Sequence, residues 1–347
     1  MTKESLIQPY GIAADNNFYM TNHQDLIFVP EVELRDNQRM AEENPVRVEV
    51  ERAVAKVVVS GVPEVVPHGD RIDNLKWGLD VTNMYTYWMR KMTFIANSGG
   101  VPNEMEQLNA GYREERYAED PNFTRFSSWN GGNPVGQFEY LSGTPELSKN
   151  FDDYDYTLEN TMDAADQRHD VTTRVVISGT YTPNGFGSVA TRNGGGISFY
   201  YFKGNAIRVE AMRDMVNDRG QIPQELRDAG LEQAIENVLA WNPNAFNSPT
   251  ASFSEGGINF YYQGVCYYTV LIRHFSNNMV PVLMGYGRYG VVRNNVYQLS
   301  INKIIGPGQP VINPPGTDPD DEDTSWISAD VNIMRWYIRN QNVEELL

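Results

Sequence analysis

The side chains that could carry chemistry in this chain are few and dispersed. Its four histidines, His23, His68, His169 and His274, are joined by no HExxH signature, so surface or packing roles are expected for each. The single cysteine, Cys266, excludes an intrachain disulfide and a Cys-based zinc cluster, and its setting in GVCYYTVLI reads as a buried apolar position. Gly194, Gly195 and Gly196 follow Arg192 and Asn193 and precede a strand. Phosphate cradles precede helices, so the triplet reads as a hairpin turn. Two acidic clusters invite other chemistry. Asp318, Asp320, Asp321, Glu322 and Asp323 sit in a Pro-rich segment without the glycine and twelfth-position glutamate of an EF-hand loop. They are expected to form a solvated, self-repelling connector, with weak divalent-ion binding as the alternative. Asp152, Asp153, Asp155 and Glu159 could supply the acid/base pair of a glycoside hydrolase only if the fold brought two of them to the right separation. No G-x-S-x-G elbow occurs. The expectation is a protein without catalytic residues, cofactor or metal.

The elements that would position these residues read as strands. At 347 residues the chain has room for two domains, and 41% apolar against 21% charged residues describes a folded protein. Twenty Tyr and fourteen Phe, with many Val, Thr and Ile, favour β-structure. A net charge of -17 argues against nucleic acid as a partner. No apolar run approaches the length of a membrane span. The start, MTKESLIQPYG, shows no signal-peptide pattern, which fits either a cytoplasmic chain or a processed or truncated one.

Residues 46–60 give the strongest strand signal of the first half. Val46, Val48 and Val50 alternate with charged residues, and Val54, Val57 and their neighbours follow in a run that is apolar on both faces apart from Lys56. Residues 72–96 read as one or two strands. Residues 97–149 read as decorated loops anchored by Phe123, Phe126, Trp129, Phe138 and Tyr140. Further strands are expected over 172–183, after Gly196, and over 256–274 and 288–304. One helix is expected between Pro223 and Pro243. Ile327, Ala329, Val331 and Ile333 then alternate with polar residues. The phase slips at Met334 and Arg335, and a second apolar run takes in Trp336, Ile338, Val343 and Leu346. This is more apolar surface than one sheet edge needs, so the last dozen residues are expected to pair outside their own domain. No βαβ pattern occurs. The layout predicts an all-β protein of two antiparallel β-sandwich domains in series, residues 1–165 and 166–333, with one short helix in the second and an extended terminal strand over 334–347.

Several stretches resemble one family. ENTMDAADQRHDVTTRVVISGTY, GVCYYTVLIRH, YGVVRNNVYQLSINKIIGPGQP and ISADVNIMRWYIRNQNVEEL are similar to segments of the major fimbrillins of Bacteroidia-type (type V) fimbriae, and NPVRVEVERAVAKVVV is similar to a strand of their N-terminal domain. The resemblance runs from about Asn17 to the end. It implies two transthyretin-like sandwiches and export to the cell surface as a lipoprotein. It also implies proteolytic removal of an N-terminal strand and head-to-tail polymerisation, in which a neighbour's C-terminal strand fills the vacated groove. On this reading Trp336, Ile338, Val343 and Leu346 belong to the donor strand, and the strand holding Val46, Val48, Val50, Val54 and Val57 belongs to the acceptor domain. Partners would be identical subunits, anchor and tip fimbrillins, and host or bacterial surface receptors. The chain departs from the family pattern at its front: a lipoprotein signal and much of the first sandwich would be expected before Asn17, so either front strands are missing or the first domain is reduced. Two rival readings are a tip subunit or other glycan-binding surface protein using Trp129 and Tyr140, and a glycan-acting enzyme using the cluster from Asp152 to Glu159.

Overall fold

The structure is a computed structural model that describes residues 18–22, 29–31, 34–46, 48–91, 118–123, 136–163, 166–187, 196–274, 287–322 and 327–335. In the first half the strands are β1 (Met20–Asn22), β2 (Val50–Arg52), β3 (Val54–Ser60), β4 (Glu64–Val66), β5 (Arg71–Asp80), β6 (Thr82–Asn83), β7 (Phe138–Glu139) and β8 (Tyr154–Leu158). They are followed by β9 (Arg174–Thr182), β10 (Phe199–Phe202), β11 (Asn205–Arg208), β12 (Phe253–Glu255), β13 (Ile258–Tyr261), β14 (Val265–Leu271), β15 (Asn295–Ile305) and β16 (Ile327–Arg335). The helices are α1 (Gln38–Glu43), α2 (Val209–Asn217), α3 (Gln224–Asp228) and α4 (Leu231–Trp241). The chain is thus mostly β with few helices.

Two open sheets form the main sandwich. One has the order β16-β15-β3-β8 with β4 also on β15, and the other has the order β14-β9-β5. Their facing sides share one core: Val57 and Val59 of β3 and Tyr297, Leu299 and Ile301 of β15 meet Trp77 of β5, Val175 and Ile177 of β9, and Cys266 and Tyr268 of β14. Alternation explains the pattern, since successive residues of a strand point to opposite faces. β9 is apolar on both faces because Val176, on its outer side, is covered as well, by Ile312 and Leu147. Cys266 is fully buried, as expected, and desolvation pushes its thiol up to about 12.

A third, antiparallel sheet, β11-β10-β13-β12, closes one end of the molecule. Phe199 and Tyr261 on its one face stack at 4.7 Å and join the sandwich core. Tyr200, Phe202 and Phe260 on the other face pack with Met212 of α2 and Leu231, Ile235 and Val238 of α4. The expected helix between Pro223 and Pro243 is divided in two at Gly230, whose φ of +89° suits glycine and breaks the hydrogen-bond ladder between α3 and α4. α2 escapes the sequence reading because it buries only Met212 and Met215 and starts at Arg208 without a side-chain cap.

The sandwich differs from two domains in series. β3, β5 and β8 precede residue 165 and β9, β14, β15 and β16 follow it, yet they interleave: β5 pairs with β9 from Arg71 to Asp80, and β3 pairs with β15. Nor is the pairing wholly antiparallel. β15 runs parallel to β3 over Val296–Ser300 and parallel to β4 over Lys303–Ile305. Between β3 and β4, Gly61 at φ +114° lies so near β15 that a Cβ would sit 2.5 Å from the Ile301 carbonyl oxygen. Local periodicity cannot reveal such partners, because it reports which face is buried and not which strand lies alongside.

A fragment ending at residue 165 would hold β3, β5 and β8 without their partners. It is expected to show a poorly dispersed amide NMR spectrum and no cooperative thermal transition, whereas the whole chain shows both dispersion and cooperativity. A dispersed, cooperatively melting fragment would contradict the interleaved sandwich.

Candidate functional site

The usual disposition of apolar and charged side chains is inverted where the chain enters the sandwich. β1 and β2 form a two-stranded ribbon in which Thr21 faces Glu51 and Met20 faces Arg52. Thr21 and Glu51 point inward and are 7% and 1% exposed, while Met20 and Val50 are 44% and 36% exposed on the outer face. Val46 and Val48, just before, are exposed too. Apolar side chains in water and a carboxylate in the interior reverse the usual arrangement.

The interior tolerates Glu51 because it is paired. Arg90 donates to it through Nε at 3.0 Å and Nη2 at 2.7 Å, and both side chains are nearly wholly buried. Arg90 also reaches the carbonyl of Arg293. Arg293 is bound to Glu159 through its backbone N–H at 3.3 Å and its Nε at 3.1 Å, and its Nη2 donates to Thr86 and to the Tyr87 carbonyl. Both charges of this second pair are fully buried. Asn83 links it onward, donating to the Glu159 carbonyl and to Asp120. Asp120 also accepts from the backbone of Thr161 and Asn122. Desolvation raises its carboxyl to about 8 in spite of those bonds. This network ties segments 83–90, 118–123, 159–161 and 293–295 together beneath the ribbon. On the outside Phe18 packs edge-on against Tyr156 at 5.3 Å with Arg52 over its ring, and Tyr19 packs edge-on against the exposed Trp88 at 5.1 Å.

Of the five valines expected on the acceptor strand, Val46, Val48 and Val50 form the exposed approach. Val54 and Val57 are buried at 3% and 0% exposure in β3, which is flanked by β8 on one side and β15 on the other and has no free edge. At the other terminus β16 pairs antiparallel with β15 from Ile327 to Arg335, with a register shift opposite Ile301 and Lys303. Met334 and Arg335 face Val296 and Asn295, so the boundary expected at residue 334 falls inside this strand. Trp336, Ile338, Val343 and Leu346 lie outside the described residues.

The other candidates are accounted for singly. Asp153 accepts from the backbone and side chain of Asn150, Asp155 lies 3.7 Å from Lys149, and Glu159 holds Arg293, so each of the three carboxylates has a partner of its own. His68 lies 3.7 Å from Glu64 at the surface, and His274 is buried with its Nδ1 2.7 Å from the Tyr297 hydroxyl. Phe123 and Phe138 are buried anchors and Tyr140 is half-buried, donating to the Asp170 carbonyl, while Phe126, Trp129 and His23 lie outside the described residues. So do residues 192–195 of the expected hairpin turn. Among the described residues no group of three or more His, Cys, Asp or Glu is placed to hold a metal ion, and no helix is long and apolar enough to cross a membrane.

The acidic segment before β16 departs from expectation. Asp320 is 3% exposed and accepts from the Thr172 hydroxyl, and Asp321 accepts from Arg288 Nε at 2.8 Å and from the Tyr289 hydroxyl at 2.9 Å. Two of the five acids are therefore docked against cationic and hydroxyl groups that no local composition shows, instead of repelling one another in water.

Comparison with known proteins bears on the terminal strands. Residues 259–342, from β13 through β16 and beyond, match the family described as "Major fimbrial subunit protein type IV, Fimbrillin, C-terminal". This part of the chain is similar to the C-terminal region of fimbrillins. The resemblance to Bacteroidia-type fimbrillins is borne out there. A search of curated proteins finds no match. Among solved structures, a fimbrilin from Porphyromonas gingivalis W83 is similar at 15% identity and a TM-score of 0.36, with 85% of this chain and 61% of that one covered. Two candidate cell adhesion proteins from Parabacteroides distasonis ATCC 8503 give 14% and 12% identity with TM-scores of 0.30 and 0.32. The first pairing covers 83% of this chain and 53% of the other, and the second covers 85% and 61%. The chain thus spans between half and two thirds of the length of these structures.

Removing one partner of a buried pair strands the other charge. Arg293→Met is expected to cost the chain about 3–5 kcal/mol in urea unfolding, and the double change Glu159→Leu with Arg293→Met to recover part of it. A loss below about 1 kcal/mol in the single variant would mean that the pair is not sealed from water.

Proposed function

We propose that this chain is a structural subunit of a bacterial surface fimbria. It joins identical copies head to tail by inserting its terminal strand, with Trp336, Ile338, Val343 and Leu346, along the exposed valines of the next copy. The observation that carries the reading is the inverted ribbon. Val46, Val48, Val50 and Met20 stand in water on one side while a carboxylate is held inside by Arg90, an arrangement that keeps an apolar face outward at the expense of the interior. The fimbrillin match over 259–342 supports the family side of the reading, and β16 is paired with β15 of its own sheet as far as Arg335, immediately before the twelve residues assigned here to the donor strand.

The energetics are adequate. Burying four large apolar side chains contributes on the order of 6–12 kcal/mol before the costs of ordering the strand. Backbone pairing along an unfilled edge adds specificity, because strand addition satisfies N–H and C=O groups that would otherwise face water. Donor and acceptor are different surfaces, so the contact does not close on itself and yields a filament. Anchor and tip subunits would use one of the two surfaces each. Localisation at the cell surface and adhesion to host or bacterial receptors follow from this reading.

Deleting residues 336–347 is expected to leave a monomer by light scattering, with the thermal midpoint of the whole chain. Val48→Asp, on the other surface, is expected to block polymerisation while leaving the midpoint unchanged, because Val48 is 47% exposed. Filaments of normal length by electron microscopy from either variant would overturn the assignment of that surface.

A further inference from the structure

The segment between β15 and β16 is a strap bound along its length. Buried tyrosine hydroxyls hold its start: Tyr268 donates to the Gly306 carbonyl at 2.8 Å and Tyr261 to the Gly308 carbonyl at 2.6 Å. Gly308, at φ +60°, comes so close that a Cβ would lie 2.4 Å from the Tyr267 carbonyl oxygen. Gln309 then exchanges two backbone bonds with Tyr267, and Ile312 exchanges two with Gly143. At the far end the His169 N–H donates to the Asp318 carbonyl, and the Asp320 N–H donates to Gln167. An open cleft of about 300 Å³ remains between the strap and the sheet, lined in part by His169, Arg174, Gln309 and Asp318.

The strap closes on an asymmetric pair of carboxyls. Asp321 meets a cation, Arg288, and the Tyr289 hydroxyl. Among the described residues Asp320 meets no cation directly: its Oδ2 accepts from Thr172, and its buried Oδ1 has no hydrogen-bond partner. The charged groups around it are unfavourable to a carboxylate on balance. Asp321 lies beside it and Asp170 faces it from the loop before β9, the latter already paired with Arg168. The opposing charge comes from Arg174, which is committed to Asp80 through Nε at 2.7 Å and Nη2 at 2.6 Å. An ionised Asp320 would thus leave a lone pair on Oδ1 without a donor among the described residues and would carry a charge with no arginine of its own, since Arg288, Arg168 and Arg174 are engaged by Asp321, Asp170 and Asp80. A protonated Asp320 lowers both costs.

We propose that Asp320 is a proton-linked latch on the strap, closed while its carboxyl keeps the proton and loosened when the carboxyl ionises. Desolvation, the largest cause, raises the carboxyl from the ordinary 3.8 to about 7, and Asp321 and Asp170 add to the rise while Thr172 and Arg174 oppose it. The sign follows from linkage. The closed strap binds the proton more tightly than the open one, so closure is favoured at acid pH, is lost progressively as pH rises from about 4 to about 7, and changes little above that. Residues 323–326 alone separate this clasp from β16, so the latch governs how firmly the approach to the terminal strand is held. The inference is independent of the fimbrial reading.

Hydrogen exchange of strap amides over 309–322 in the whole chain, normalised to intrinsic chemical rates, tests it. The opening equilibrium is expected to rise about tenfold per pH unit from pH 5 to pH 6.5 and to level off above pH 7.5. Asp320→Asn, which imitates the protonated form, is expected to remove that slope while amides of β9 keep their protection. A wild-type slope near zero, or the same slope in the variant, would overturn the latch. Should the variant not fold, carbon-13 NMR titration of the Asp320 carboxyl in the wild type decides. A midpoint near 7 supports the latch and one near 4 refutes it.

Discussion

The structure depends on one strand and the neighbours it takes. β15 holds β16 on one side and both β3 and β4 on the other, so a segment near the C-terminus is enclosed by strands from both ends of the chain. Parallel pairing of β3 with β15 joins residues more than two hundred positions apart. The entropy of closing such a loop is met only when the whole sheet forms, and the core behind it is shared by both halves. That makes the sandwich a single cooperative unit, and it leaves the two termini as the places where the fold can be extended without being taken apart.

Charge is used unusually inside this unit. Glu51 with Arg90 and Glu159 with Arg293 are buried ion pairs whose hydrogen bonds run into backbone carbonyls and into Asn83 and Thr86. Such pairs yield little net stability against an apolar replacement, since desolvation offsets most of the attraction. Their effect here is positional. They orient the ribbon so that its valines face out, and they fasten loops that carry too few apolar side chains to be held by packing alone. The strap repeats the device, where Asp321 is matched by Arg288 and, among the described residues, Asp320 is matched by no direct cation. Asp320, like Asp120, is a carboxyl that desolvation raises toward neutral pH.

The fimbrillin match and the geometry meet at the same place. The matched region ends past β16, and β16 lies at the end of the order β16-β15-β3-β8. An outward apolar ribbon and an onward-running terminal strand are two halves of one contact in the proposed filament. The net charge of -17 adds that copies repel at a distance, so their contact rests on short-range burial and backbone pairing.

The β-rich class, the buried setting of Cys266, the anchoring roles of Phe138 and Tyr140 and the strand from Ile327 to Ile333 were legible in the residues themselves, although that strand runs on to Arg335. Each is a statement about period or side-chain type, and these are local properties. The family resemblance was legible too, as an ordered series of strand and turn patterns. Which strands pair was not, because β3 reads the same whether β15 or a closer strand lies beside it. The acidic strap misled for a related reason: Asp320 and Asp321 look solvated until Thr172, Arg288 and Tyr289 arrive from distant segments. The inverted ribbon was half visible, in that the alternation of Val46, Val48 and Val50 was evident, but which face pointed inward was settled by Arg90. Sequence by itself determined the elements and their buried or exposed sides in most places. Tertiary structure alone decided their partners and the fate of the charges, because pairing and desolvation depend on groups that are neighbours in space and not in the chain.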